Sequence, residues 1–288
     1  MFRKGVLMML VSSLFFAAMA AMVRGLPDVS SFTMATIRFL VGGLVMLAVF
    51  AVGLREMRWI NWPWIVARGV SGGFAVVLFY WSIQNVGLAK GTLYSYTYSI
   101  FASLFAGPIL HERIRPRHWA AIAVAMAGIA LVVGVQRLTL ERGDLAALAC
   151  GVFSGFAVVC LTKSRRTDTS TNIFWSQCLF GLVIVAWPAA TTWLWPTAGQ
   201  WVFLVIIALL ATAGQLTMTY AYKFTGASFG SLLSLVTPVL SSLVGILHFR
   251  ERPTAGFFVG GLLILVACAY LSFNPVSQAV EETADAET

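Results

Sequence analysis

Three tyrosines (Tyr94, Tyr96, Tyr98) and three serines (Ser95, Ser99, Ser103) stand in one stretch, Gly91 to Glu112, where a lipid-facing helix would carry leucine. Bulky phenols are poor packing spacers, and their hydroxyls need partners, so the chemistry they suit is recognition of a polar solute at a cavity wall. On a helical wheel at about 100° per residue, Gly91, Tyr94, Ser95, Tyr98, Ser99, Ala102 and Ser103 share one broad arc. Shifted by 139 positions, the stretch lands on a twin: Gly91 meets Gly230, Leu93 meets Leu232, Ser95 meets Ser234, Ser103 meets Ser242, and Glu112 meets Glu251. The twin carries its own arc of Gly230, Ser231, Ser234, Thr237, Pro238, Ser241 and Ser242. Small residues and hydroxyls also serve close packing of membrane helices. Positions where the copies agree therefore read mainly as scaffold. Positions where they differ, Tyr94, Tyr98 and Ser99 against Leu233, Thr237 and Pro238, read as the place of substrate choice.

Other polar groups inside apolar runs extend the candidate site. Tyr80 and Gln84 lie one turn apart beside Trp81 and Asn85; Gln215, Thr219 and Tyr222 line up similarly, with Tyr220 adjacent. Amides and phenols at such depth face a bundle interior or a water-filled cavity. Arg38 matches Gln177 across the repeat and either snorkels, braces carbonyls or contacts an anionic group of the substrate. Tyr80, Trp81, Tyr94, Tyr98, Trp175 and Tyr220 together would suit an aromatic, cationic or zwitterionic solute. Pro238 frees a carbonyl one turn earlier and is a hinge candidate. All eleven acidic residues fall in loops, at helix ends or in the tail, which disfavours proton coupling through a buried carboxylate. The four cysteines form no CxxC pair and no cluster with histidine, so no metal, cofactor or catalytic site is expected.

The elements that must position these groups are membrane helices. A chain that is 59% hydrophobic and 10% charged cannot hide its apolar surface in a soluble core of 288 residues. Its net charge of +8 resides in short loops and reads as a topology signal rather than a nucleic-acid footprint. Runs long enough to span fall near 5–23, 32–53, 64–86, 91–110, 117–134, 143–162, 171–193, 201–222, 228–248 and 255–273. The first imitates a signal peptide, but Leu10 and Phe15 have twins in Leu148 and Phe153, so it is read as a spanning helix. With the N-terminus inside, eleven Lys and Arg lie on that side and six opposite, which places both termini in the cytoplasm. Five helices per half then invert one repeat relative to the other, the architecture of alternating-access transporters with a site at the repeat interface.

In its order of features the chain resembles the drug/metabolite transporter superfamily, in particular its ten-helix EamA-type permeases. The carriers are the doubled polar helix ending in Glu-Arg (Gly91 to Arg113 with Ile114, Gly230 to Arg252 with Pro253), Arg38-Phe39 followed by Gly42, and Gly128 after the loop. The resemblance implies secondary transport of small organic metabolites, often export of amino acids or related compounds, through a central cavity. One departure stands out: the family often has Thr or Ser then Pro in the middle of both repeats. Here only Thr237-Pro238 keeps the pattern, against Tyr98-Ser99, which removes the sequence basis for a hinge in the first half.

The expectation is an all-α integral membrane protein of ten transmembrane helices in two inverted five-helix repeats, 1–138 and 139–273, with a disordered acidic tail at 274–288. Its expected role is export of an amino acid or similar zwitterion across the inner (plasma) membrane by a monomer. Its expected partners are a small-molecule substrate and the lipid bilayer, without nucleic acid. An importer or exchanger of a cationic or nucleobase-like solute is the alternative. A membrane-embedded enzyme is a remote one, for which the loop around His111, Glu112, Arg113 and His118 is the single candidate cluster.

Overall fold

The computed structural model describes residues 2–23, 25–26, 28–112, 114–133, 141–249 and 254–273; the expected tail, and Glu251-Arg252 of the doubled motif, lie outside them. All regular structure among the described residues is helical: α1 (Phe2–Val23), α2 (Ser31–Ala51), α3 (Trp62–Ser95), α4 (Tyr98–Leu110), α5 (Pro116–Val133), α6 (Arg142–Ser164), α7 (Ser170–Thr192), α8 (Ala198–Thr225), α9 (Ala227–Leu233), α10 (Val236–Phe249) and α11 (Ala255–Phe273). Six stretches, Phe2–Val23, Ser31–Ala51, Trp62–Val86, Arg142–Ser164, Ser170–Thr192 and Ala198–Thr225, are long and apolar enough to cross a membrane, and shorter apolar helices accompany them. Large apolar side chains such as Leu14, Leu44, Leu104, Val183 and Leu262 are exposed on the perimeter, where a soluble protein would place charge. This is a multi-pass membrane protein.

Helix ends follow local chemistry. Ser30 accepts the Phe32 N–H at 3.3 Å ahead of α2, and Thr197 and Gln200 satisfy each other's backbone N–H groups at the start of α8. His111 closes α4 in the left-handed region at φ 58°. Asp168 works at longer range: its carboxylate accepts the N–H groups of Ile60 (2.8 Å) and Asn61 (3.1 Å), capping the approach to α3 from the α6–α7 connection.

Two departures from uninterrupted helices decide the shape of the site. A Cβ on Gly91 would stand 3.2 Å from the Ser82 hydroxyl and the Ile83 nitrogen. In a straight helix eight residues separate by about 12 Å. The run Trp62–Ser95 therefore turns back on itself between Val86 and Gly91, so its last residues belong with α4. Second, that returning helix breaks at Tyr96–Thr97, as its twin breaks at Ser234–Leu235 between α9 and α10. The second break lies four residues before Pro238, whose ring and missing N–H release the Ser234 carbonyl. The first has no proline; there the Thr97 hydroxyl donates to the Tyr94 carbonyl at 2.5 Å and competes with the helical ladder. Both halves thus carry a break, including the half whose sequence offered no basis for one.

Packing joins elements from the two halves of the chain. α3 packs on α6 and α1 on α8; α4 packs on α6 and α1 on α10; α2 packs on α7, α5 on α11 and α4 on α9. The α5–α11 contact is close because it is built on glycine: a Cβ on Gly128 would stand 2.6 Å from the Gly260 carbonyl oxygen. Two large apolar clusters, with a smaller third around Met46, Phe174 and Cys178, fill the interior. Ile122, Ile129, Leu161, Leu232 and Ile264 belong to one, and Ile37, Phe39, Val185, Leu204 and Ile207 to the other.

Candidate functional site

Between the clusters lies a cavity of about 980 Å³. Its wall takes Met19 and Val23 from the end of α1, Ser31, Met34 and Arg38 from the start of α2, and Phe79, Tyr80, Ile83 and Gln84 from α3. Val132 comes from the end of α5, while Cys150, Ser154, Gln177 and Gln215 come from α6, α7 and α8. Because successive helices alternate direction, the ends of α1 and α5 and the start of α2 share one face, and the cavity runs towards it. Its floor is the pair of broken helices, contributing Thr92, Ser95, Tyr96, Tyr98, Ser234, Thr237, Pro238 and Ser241. At breaks of this kind backbone groups leave the helical ladder, which membrane proteins tolerate where the backbone is buried in protein or lines a cavity.

The two broken helices are locked together below the cavity. The Tyr98 hydroxyl is hydrogen-bonded to that of Ser234, and the Ser99 hydroxyl donates to the Ser231 carbonyl at 2.9 Å. One level further out, the Glu112 carboxylate accepts from the N–H of Ala227 (2.9 Å), the N–H of Ser228 (3.2 Å) and the Ser228 hydroxyl (2.6 Å). Arg165, in the connection on that face, donates to the Thr219 carbonyl at 3.2 Å and to the Asp168 carbonyl; partial burial draws its pKa down.

Of the residues singled out by type and spacing, Arg38, Tyr80, Gln84, Tyr98, Gln177, Gln215, Ser234, Thr237 and Pro238 meet at this cavity. Arg38 is 7% exposed and points inward, its Nη1 3.3 Å from the Tyr80 hydroxyl, so it does not snorkel. Gln84 donates to the Val29 carbonyl at 2.9 Å, tying α3 to the α1–α2 connection. The others lie off the wall. Ser99 is buried in the helix crossing just described. Trp175 packs edge-on against Phe50, with ring centroids 6.2 Å apart. Tyr220 sits under the Lys4 ammonium, 5.3 Å from its ring, near the end of α8. Trp81 is half-buried one position round the helix from Tyr80, and Tyr94 is half-buried with its carbonyl turned to Thr97.

Arg68, Ser95, Tyr96 and Ser154 line the cavity without having been singled out as site residues. Arg68 carried the same signal that marked Arg38, a lone guanidinium inside an apolar run. It is 4% exposed, lies over Gly72 where a methyl group would collide with it, and donates from Nη2 to Gln177 Oε1 at 3.0 Å. Among the described residues no group of three or more His, Cys, Asp or Glu side chains is arranged to hold a metal ion.

The family profile of EamA-like transporters matches the chain twice, over residues 3–134 and 141–273. The chain belongs to the EamA-like transporter family. It is 24% identical over 273 residues to the pseudopaline exporter CntI of Pseudomonas aeruginosa, covering 94% of this chain and 96% of that one. It is 26% identical over 265 residues to the aromatic amino acid exporter YddG of Ancylobacter novellus, covering 84% and 85%. A crystal structure 20% identical in sequence matches the whole fold with a TM-score of 0.81, covering 100% of both chains. As an EamA-like transporter rather than an enzyme, the protein acts on a small solute by binding and moving it. Its cavity is correspondingly furnished with hydrogen-bonding groups.

Proposed function

We propose that this transporter exports an amino acid or a similar small metabolite across the inner (plasma) membrane by alternating access, working as a monomer with both termini cytoplasmic. In this reading ten spanning helices form two inverted five-helix repeats, 1–138 and 139–273. The cavity at their interface is open to the periplasmic face and sealed at the cytoplasmic one. The observation that carries the reading is the crossing of the two broken helices. The two helices related by the 139-residue shift meet there through Tyr98–Ser234 and Ser99–Ser231, above them is a polar cavity, and below them is the Glu112 seal. The packing supports it further, because exchanging the halves turns α3 on α6 into α8 on α1, and leaves α2 on α7 and α5 on α11 unchanged. Tyr80, Gln84, Tyr98, Gln177, Gln215, Ser234 and Thr237 are the proposed substrate contacts, with Pro238 and the Tyr96–Thr97 break as hinges. The named activity of one relative, export of aromatic amino acids, supports an amino acid as the solute.

Uptake and efflux in proteoliposomes, measured against a panel of amino acids, organic acids, amines and nucleobases, test this directly. Flux of at least one amino-acid-like solute is expected, and absence of flux for every solute with folded protein would reject it.

A further inference from the structure

Arg38 and Arg68 line the same cavity, and both are more than nine-tenths buried. A guanidinium carries five N–H donors and stays charged under all ordinary conditions. Arg68 uses one donor on Gln177 Oε1 at 3.0 Å, and its Nε has no partner. Arg38 reaches the Tyr80 hydroxyl at 3.3 Å and the Met19 sulfur at 4.0 Å, a weak acceptor. Gln215, 3% exposed, also leaves its amide nitrogen unpartnered at the cavity wall. Among the described lining residues there is no Asp or Glu. Two charges buried in a membrane protein without counter-charges carry a large desolvation cost, which a purely structural brace would meet with carboxylates or carbonyls.

We infer that Arg38 and Arg68, with Gln177 and Gln215, form a carboxylate-binding subsite, and that the substrate is a net-negative, amino-acid-like metabolite carrying at least two carboxylates. The inference rests on the transport reading and narrows its substrate. A simple zwitterion neutralises one guanidinium and brings an ammonium for which the wall offers no carboxylate. A dicarboxylate satisfies both cations. Guanidinium forks donate to carboxylates in bidentate fashion, and the Gln215 amide supplies a further donor. The hydroxyls of Ser95, Ser234 and Thr237 and the rings of Tyr96 and Tyr98, on the cavity floor, then take an amino or other polar portion of the same molecule.

Thermal unfolding of the full-length protein in detergent, titrated with glutamate, succinate, phenylalanine, lysine or inorganic phosphate, reads this without requiring flux. Glutamate and succinate should stabilise more than the other three. Arg68→Gln and Arg38→Gln should each weaken the apparent affinity by about ten- to a hundred-fold, the loss of a charge-assisted hydrogen bond. Arg68→Lys should recover part of that loss. If a variant fails to fold, the ranking of probes on the unmodified protein still decides. Equal stabilisation by phenylalanine or lysine, stabilisation by phosphate alone, or no stabilisation by any probe overturns the inference. Flux of some solute in proteoliposomes would leave the transport reading standing in each of those cases, whereas its failure would show as no flux at all.

Discussion

Removing the Glu112 carboxylate should unseal one face of the transporter. That carboxylate gathers three hydrogen bonds from the first two residues of α9, at 2.6 to 3.2 Å. Each is charge-assisted, and the two backbone donors are N–H groups left unpaired at a helix start. Glu112 is only half-buried, so water replaces part of what is lost. A net cost of about 2–4 kcal/mol for Glu112→Ala follows, equivalent to about 30- to 700-fold in the ratio of sealed to unsealed states. A shift of that size takes an opening that is rare to one that is readily populated. The assay is the rate at which an impermeant maleimide, applied from the Glu112 side, labels a cysteine placed at Ser231, which is buried beneath Tyr98 and Ser99. Of the four buried native cysteines only Cys150 lines the cavity, so the reporter is built on Cys150→Ala to keep the background low. Labelling should accelerate at least tenfold in Glu112→Ala and less in Glu112→Gln, whose amide keeps one acceptor. An unchanged rate in a folded Glu112→Ala protein would refute the role of this contact as a seal.

The α5–α11 contact predicts that Gly128→Ala lowers the thermal midpoint in detergent. The new Cβ falls 0.8 Å short of the 3.4 Å of ordinary contact with a backbone oxygen that cannot rotate away. Overpacking of about 1–3 kcal/mol then outweighs about 1 kcal/mol of helix propensity, and a higher midpoint would contradict the close approach. Asp168→Ala should cost about 1–3 kcal/mol by orphaning the Ile60 and Asn61 N–H groups; limited proteolysis between α2 and α3 should quicken, and an unaltered digest would count against the cap. At the cavity, Gln84→Ala and Tyr98→Phe should weaken substrate binding several-fold while Tyr94→Ala leaves it nearly unchanged. The reverse order in a binding titration would place the site on the other face of that helix.

The helical character was legible because the bilayer demands long apolar runs: six of the runs recur as helices long and apolar enough to cross a membrane, while those at 91–110 and 228–248 are interrupted. The site was legible in part. Tyr98 and Tyr94 share an arc on an unbroken wheel, but the interruption at Tyr96–Thr97 resets the phase between them, so only Tyr98 reaches the cavity. No residue-type signal marked that interruption, since threonine makes such bonds in intact helices as well. Trp175 and Tyr220 of the aromatic set lie off the cavity for a different reason. Aromatic rings also belong at interfaces and against one another, and composition does not separate those uses from a binding wall. Arg68 needed only the rule applied to Arg38.

The pair of buried guanidiniums has an electrical consequence. In the proposed alternating-access cycle, the seal would move from one face to the other, the membrane voltage would fall across a different side of the cavity, and the two positive charges would pass from one end of that drop to the other. A single charge traversing the whole field is worth about 2.3 kcal/mol per 100 mV. A carrier loaded with a dianion such as succinate between Arg38 and Arg68 would turn over nearly silently, and one loaded with glutamate would move a single net charge. The empty one would carry both charges alone, and membrane potential would then act as a brake or a motor on the return stroke.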